Sequence, residues 1–196
     1  MGRIHVAPLC ELAVALRDRL AIRHFVETGT YQGHATRWAS EHFPEVWTVE
    51  LRADYQRAAR ESLADRNNIR FVLGDSAQAL TGIVGPLPGP ALFWLDAHAG
   101  GGHFGSEDVC PLLDELKVIL ASPHQHAILI DDARAFTAPP PPPFDAAKWP
   151  SLDQIFRILQ AQWDPHVVLT NDCLVCVPQA ARGVVTDHVL RVRTKI

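Results

Sequence analysis

Short apolar runs alternate with amphipathic segments through the first two-thirds of the chain, and this alternation narrows the fold more than any single motif. His24 to Glu27, Val46 to Glu50, Ile69 to Leu73, Ala91 to Leu95 and Ala127 to Ile130 read as strands. They are short, continuous and without a clean polar face, so they are expected to be buried on both sides. Between them His34 to Phe43, Asp54 to Asp65, Ala77 to Ile83 and Cys110 to Leu120 read as helices. Ahead of them Ala7 to Leu20 repeats Leu9, Leu12, Ala13, Leu16 and Leu20 at helical spacing and forms a leading helix. Right-handed crossovers between such strands give a mostly parallel sheet whose ligands sit beyond the carboxyl ends of the strands. Ser151 to Trp163 adds a helix, and Val167 to Thr170 and Cys173 to Val177, joined only by Asn171 and Asp172, form a hairpin that brings an antiparallel strand to the sheet's end. The expected architecture is an α/β doubly wound, mostly parallel seven-stranded sheet with helices on both faces and an antiparallel last strand, as one domain over residues 1–196.

Within this frame Phe25 to Gly33 runs from a buried strand through a glycine turn into a helix, the place where a nucleotide-like ligand docks. Glu27 lies at the strand's end, and Gly29 and Gly33 lack the Cβ atoms that would hold a ligand off the backbone. A tight turn with no ligand would use the same glycines. The acids separate the two readings: Glu27, Glu50, Asp75, Asp96 and the pair Asp131, Asp132 each lie at or just past the end of a different strand. Carboxylates gathered on one edge are penalised by desolvation and mutual repulsion unless something bound there satisfies them. Glu50 lies 21 residues beyond Gly29, about the spacing at which an acid accepts hydrogen bonds from a ribose diol. An adenosine-bearing ligand fits.

Glu-Thr-Gly-Thr-Tyr-Gln-Gly (27–33), Val46-Trp47-Thr48-Val49-Glu50, Gly74-Asp75-Ser76, Trp94-Leu95-Asp96-Ala97-His98 and Ile130-Asp131-Asp132 together resemble the ordered motifs of class I S-adenosylmethionine-dependent methyltransferases. The resemblance spans about residues 25–135. It implies that Glu27, Gly29, Thr30 and Gly33 cradle the amino-acid end of S-adenosylmethionine, that Glu50 holds the ribose, and that Asp75 with Ser76 faces the adenine, with Asp96 also at the cofactor. Tyr31 stands where the fullest form of the motif has its middle glycine. The second half is most similar to the metal-dependent O-methyltransferases of the macrocin and catechol type. That resemblance implies a magnesium ion on Asp96, Asp131 and Asp132, orienting an acceptor hydroxyl, and three carboxylates with open positions suit such a hard cation. Asp131 as a turn cap with Asp132 in solvent is the plainer alternative.

His98 follows Asp96 by two residues, where the macrocin-like enzymes carry an acid proposed as general base. An imidazole with an ordinary pKa of about 6.5 suits the same work near neutrality. Asp96 and His98 are therefore the expected catalytic residues, although His98 is equally placed as a metal ligand or as a loop histidine with neither task. His103 lies in the run Gly100-Gly101-Gly102-His103-Phe104-Gly105, which reads as a lid or as a mobile surface loop. Pro139 to Pro143 reads as a stiff wall of the acceptor pocket flanked by Phe136, Phe144 and Trp149, with an exposed linker or a partner-binding segment as alternatives.

The remaining features exclude more than they assign. A hydrophobic fraction of 47%, a charged fraction of 20% and a net charge of −4 describe an ordinary globular protein without the basic stripe that binds nucleic acid. No apolar run approaches the roughly 20 residues that span a bilayer, and the charged N-terminus reads as neither signal peptide nor anchor, so no membrane and a cytoplasmic location are expected. Four cysteines are too few for a disulfide framework, and Cys173-Leu174-Val175-Cys176 lies in a strand, where residues three apart point to opposite faces. Val184 to Ile196 alternates apolar and polar residues and reads as an extra edge strand or a homodimer contact. The expected function is methyl transfer from S-adenosylmethionine to a small-molecule acceptor, at oxygen with a metal. The alternatives are metal-free transfer to nitrogen or carbon, another reaction of the same cofactor, and a non-catalytic module that keeps the fold for interaction.

Overall fold

A computed structural model describes residues 3–98, 110–138 and 145–193. Its strands are β1 (His24–Thr28), β2 (Glu45–Glu50), β3 (Ile69–Leu73), β4 (Ala91–Leu95), β5 (Ala127–Ile130), β6 (His166–Thr170) and β7 (Cys173–Val177). They form one sheet in the order β3-β2-β1-β4-β5-β7-β6, with β1 to β5 parallel and β7 antiparallel to both of its neighbours. The helices are α1 (Leu9–Arg19), α2 (His34–His42), α3 (Ala53–Ser62), α4 (Ser76–Val84), α5 (Leu112–Leu120), α6 (Arg134–Thr137), α7 (Leu152–Gln162) and α8 (Arg182–Arg193).

The pleat sorts each strand's side chains between two cores. Val26, Phe93, Leu95, Ile128 and Ile130 meet Leu80 and Ile83 of α4, Leu116 and Ile119 of α5 and Ile155 of α7 on one face. Phe25, Leu92, Trp94 and Leu129 meet Leu12 and Leu16 of α1, Ala39 of α2 and Val185 of α8 on the other. Every residue of β1 and β4 is buried, as continuous apolar runs covered on both faces require.

Two expectations are corrected, one at the C-terminal segment and one at the β3 edge. The segment from Val184 is not an edge strand: α8 covers it as far as Arg193, because Ala181, Val185 and His188 are buried at helical spacing and face the side of the sheet that α1 covers. The expected antiparallel last strand is β7. The fully buried run of β7 takes a neighbour on each side, and β6, only half-buried, becomes the edge. The opposite edge strand, β3, is likewise half-buried rather than covered on both faces. Cys173 and Cys176 are buried and free, in line with a strand-core reading of the C-x-x-C. Among the described residues no helix is long and apolar enough to cross a membrane.

The order of the strands reverses between β1 and β4, where crossovers leave to opposite sides and a crevice opens. The strand ends there are level. Asp96 N–H donates to the Thr28 carbonyl at 3.0 Å, Asp131 N–H to Leu95 at 3.1 Å, and Gly29 and Gly74 N–H to Val49 and Glu50 at 2.9 Å each. One edge of the sheet therefore collects the acids.

Candidate functional site

The glycine turn leaves β1 with Gly29 at φ +87° and Gly33 at φ +73°. Both are left-handed conformations that glycine adopts without strain. The missing Cβ atoms serve the protein itself as well as any ligand: a Cβ on Gly29 would meet the Asp96 backbone, and one on Gly33 would meet Leu63 Cδ1 at 3.1 Å. Tyr31 keeps the motif's backbone without its middle glycine by taking φ +45°. Its N–H donates to Glu50 Oε2 at 2.8 Å, and its ring packs edge-on to Tyr55.

Glu50 is itself largely buried, at 7% exposure. Its second oxygen accepts from Arg52 N–H at 2.9 Å, so backbone donors orient both oxygens. Tyr31, Leu51 and Leu73, three of the few large apolar side chains left exposed, surround it: Tyr31 is bonded to Glu50, Leu51 follows it, and Leu73 is its register partner on β3. This apolar rim beside an oriented carboxylate suits the ribose and base of an adenosine. Asp75 lies past β3, exposed, where its carboxylate accepts from Gln78 N–H at 2.9 Å and caps α4.

Other residues expected to touch the cofactor point inward. Glu27 is 1% exposed, and its Oε2 accepts from the hydroxyls of Thr36 and Thr48. The Thr30 hydroxyl is bonded to Thr48 at 2.6 Å, and Ser76 is buried. Burial pushes the Glu27 carboxyl up to about 7, against the two threonine hydroxyls that lower it and with Glu50 raising it. Glu27 thus ties β1 to α2 and β2 beneath the turn.

Across the crevice, His98 stands between two carboxylates, with Nδ1 3.6 Å from Asp96 and Nε2 3.6 Å from Asp132. Both nitrogens are buried and without a hydrogen-bond partner among the described residues. The ring stacks on Phe136 and tilts against Trp149, with centroids 6.1 and 5.4 Å away. Burial brings the imidazole down to about 4, opposed by Asp132 and assisted by Arg134. Burial, then repulsion from Asp131, Asp132 and Glu27, holds the Asp96 carboxyl well above the usual carboxylate range.

Arg134 was not anticipated. It pairs with Asp132 at 2.9 Å and with Asp172 of the β6–β7 hairpin. Asp172 also accepts from Arg134 N–H at 3.0 Å, which makes the hairpin turn a brace for the loop after β5. Asp131 Oδ1 accepts from Asp132 N–H at 2.7 Å, and Asp132 sits at φ +50°. Among the described residues no three His, Cys, Asp or Glu side chains form a group able to hold a metal ion. The expected magnesium ligands are brought to one crevice, but as placed they do not fit a cation, because Arg134 already neutralises Asp132. His103, the glycine-rich run around it, Pro139 to Pro143 and Phe144 lie outside the described residues; Phe136 and Trp149 lie inside them, against His98.

No family model matches the chain, and no curated protein does. Solved structures do. The O-methyltransferase TomG of Streptomyces achromogenes, in complex with S-adenosylmethionine, is 18% identical, with a TM-score of 0.59 over 88% of this chain and 81% of its own. A Podospora anserina methyltransferase bound to S-adenosylhomocysteine is 17% identical, with a TM-score of 0.59 over 88% and 79%. An rRNA methylase of Streptococcus thermophilus is 13% identical, with a TM-score of 0.52 over 89% and 96%. The chain therefore has the fold of the class I methyltransferases.

Proposed function

We propose that this protein transfers a methyl group from S-adenosylmethionine to a nucleophile, an oxygen by preference, on a small molecule. The observation that carries the reading is the oriented pair of sites at the β1/β4 crevice: the Gly29 to Gly33 turn with Glu50 on one side, and His98 between Asp96 and Asp132 on the other. The cofactor supplies an electrophilic sulfonium methyl. Glu50 accepts the ribose hydroxyls, Tyr31, Leu51 and Leu73 border the base, Asp75 meets its polar edge, and the turn's backbone receives the amino-acid end.

His98 is neutral near pH 7 and neither ring nitrogen has a hydrogen-bond partner among the described residues, so its lone pair is open to the proton that an acceptor hydroxyl loses as oxygen attacks the methyl carbon, although its lowered midpoint makes it a weaker base than a free imidazole. The resulting imidazolium lies 3.6 Å from Asp132, whose charge favours it, and 3.6 Å from Asp96. A small acceptor is supported by the net charge of −4 and by the aromatic wall of Phe136 and Trp149 beside His98. Magnesium assistance would require Arg134 to leave Asp132, and no step is assigned to it. The test is formation of S-adenosylhomocysteine from S-adenosylmethionine over a panel of phenols, alcohols, amines and ribosomal RNA. Turnover with RNA alone overturns the small-molecule reading.

A further inference from the structure

Helix α5 lays Leu112, Leu116 and Ile119 on the sheet, and Glu115 falls on the same face. Its carboxyl is 1% exposed, and Oε1 is buried without a hydrogen-bond partner among the described residues. Beside it are the hydroxyls of Thr28 and Ser76, both near enough to lower its pKa by hydrogen bonding, and the Thr28 hydroxyl has no other partner among the described residues. Burial, with Asp75 adding to it, raises the Glu115 carboxyl to about 7 against the pull of those two hydroxyls. An acid in the middle of an apolar helix face weakens packing that leucine would strengthen, so its presence points to a polar task.

The surroundings say which task. Thr28 is the last residue of β1, next to Gly29, and Ser76 opens α4, next to the capping Asp75. Glu115 also lines a small cavity with Leu95, Ala97, His98, Cys110 and Phe136. It therefore stands beneath the crevice, between the turn, the start of α4 and His98. On the S-adenosylmethionine reading, on which this rests, we propose that Glu115 is a further cofactor-binding residue whose Oε1 accepts a hydrogen bond from an N–H donor of the cofactor. The cofactor offers two such donors, the adenine 6-amino group and the α-ammonium group.

The experiment is calorimetric titration of the full chain with S-adenosylhomocysteine and with 5′-methylthioadenosine, which keeps the adenine and lacks the amino acid. Wild type, Glu115→Gln and Glu115→Leu are compared, together with the Tm of each free protein. Glu115→Leu is expected to keep or raise the free Tm while weakening S-adenosylhomocysteine about tenfold or more, and the isosteric Glu115→Gln to weaken it by a smaller factor. A loss shared by 5′-methylthioadenosine assigns the adenine amine, and a loss confined to S-adenosylhomocysteine assigns the α-ammonium. Variants that bind S-adenosylhomocysteine like the wild type overturn the assignment of Glu115 alone. A wild type that binds neither compound overturns the cofactor reading and this proposal with it.

Discussion

A Cβ placed on Gly29 would stand 2.3 Å from the carbonyl oxygen of Asp96 and 2.7 Å from its carbon. The two halves of the site, the turn after β1 and the loop after β4, are therefore built against each other. Gly29→Ala must push backbone from backbone and also hold φ +87°, so we expect it to destabilise the fold by about 2–4 kcal/mol. Gly33→Ala meets only the tip of Leu63, a side chain that can yield, and should lose about 1 kcal/mol. Urea denaturation of both variants checks this, and equal stability of the two would refute the close approach.

The parallel half of the sheet was legible because β1, β4 and β5 must be apolar on both faces, and their acids mark the edge where the chain leaves them. Glu50 was legible for the same reason, from its spacing to Gly29. The alternation after Val184 misled because Val185 and Val189 sit at helical as well as alternate positions, and only packing on the side that α1 covers decides between them. Glu115 did carry a signal that went unread: Leu112, Glu115, Leu116 and Ile119 follow the i, i+3, i+4, i+7 stripe, which places a carboxyl inside. Arg134 carried none, since its pairing with Asp172 joins residues 38 apart in sequence across the sheet.

The electrostatics around His98 have opposite signs that mutation can separate. Asp132 favours the imidazolium and Arg134 disfavours it. Arg134→Gln should raise the midpoint of His98 protonation from about 4, and Asp132→Asn should lower it further. NMR titration of the His98 ring resonances reads this directly. A wild-type midpoint near the ordinary value of about 6.5 would show that the ring is not enclosed as described.

Glu27 links stability to pH. Its carboxyl titrates near 7 in the fold against an ordinary 4.5, so below pH 4.5 it is neutral in folded and unfolded chains alike. As the pH rises from there, the unfolded chain ionises first and the fold loses stability, by roughly 3 kcal/mol once pH 7 is passed. Glu27→Gln, which keeps an acceptor for Thr36 and Thr48, should lack that loss. Stability measured from pH 4 to 8 should show the variant gaining on the wild type up to about pH 7 and then running parallel; curves parallel throughout would contradict a buried, raised carboxyl.

Arg134 and a metal ion compete for Asp132. Removing the guanidinium frees a carboxylate beside Asp96 and Asp131, so Arg134→Gln should bind Mg2+ more tightly than the wild type in calorimetry. Stoichiometric Mg2+ binding by the wild type that Asp131→Ala abolishes would instead establish the magnesium reading, with Arg134 displaced.

The central claim is that the crevice between β1 and β4 holds an adenosine-bearing sulfonium cofactor. Calorimetric titration with S-adenosylhomocysteine, wild type against Glu50→Ala, tests it most directly. The account predicts one site per chain in the wild type, a rise in Tm with ligand, and affinity about tenfold to a hundredfold lower in the variant, which loses the acceptor aimed by Tyr31 and Arg52. No heat and no change in Tm in the wild type would contradict it and would move the non-catalytic reading of the fold to first place.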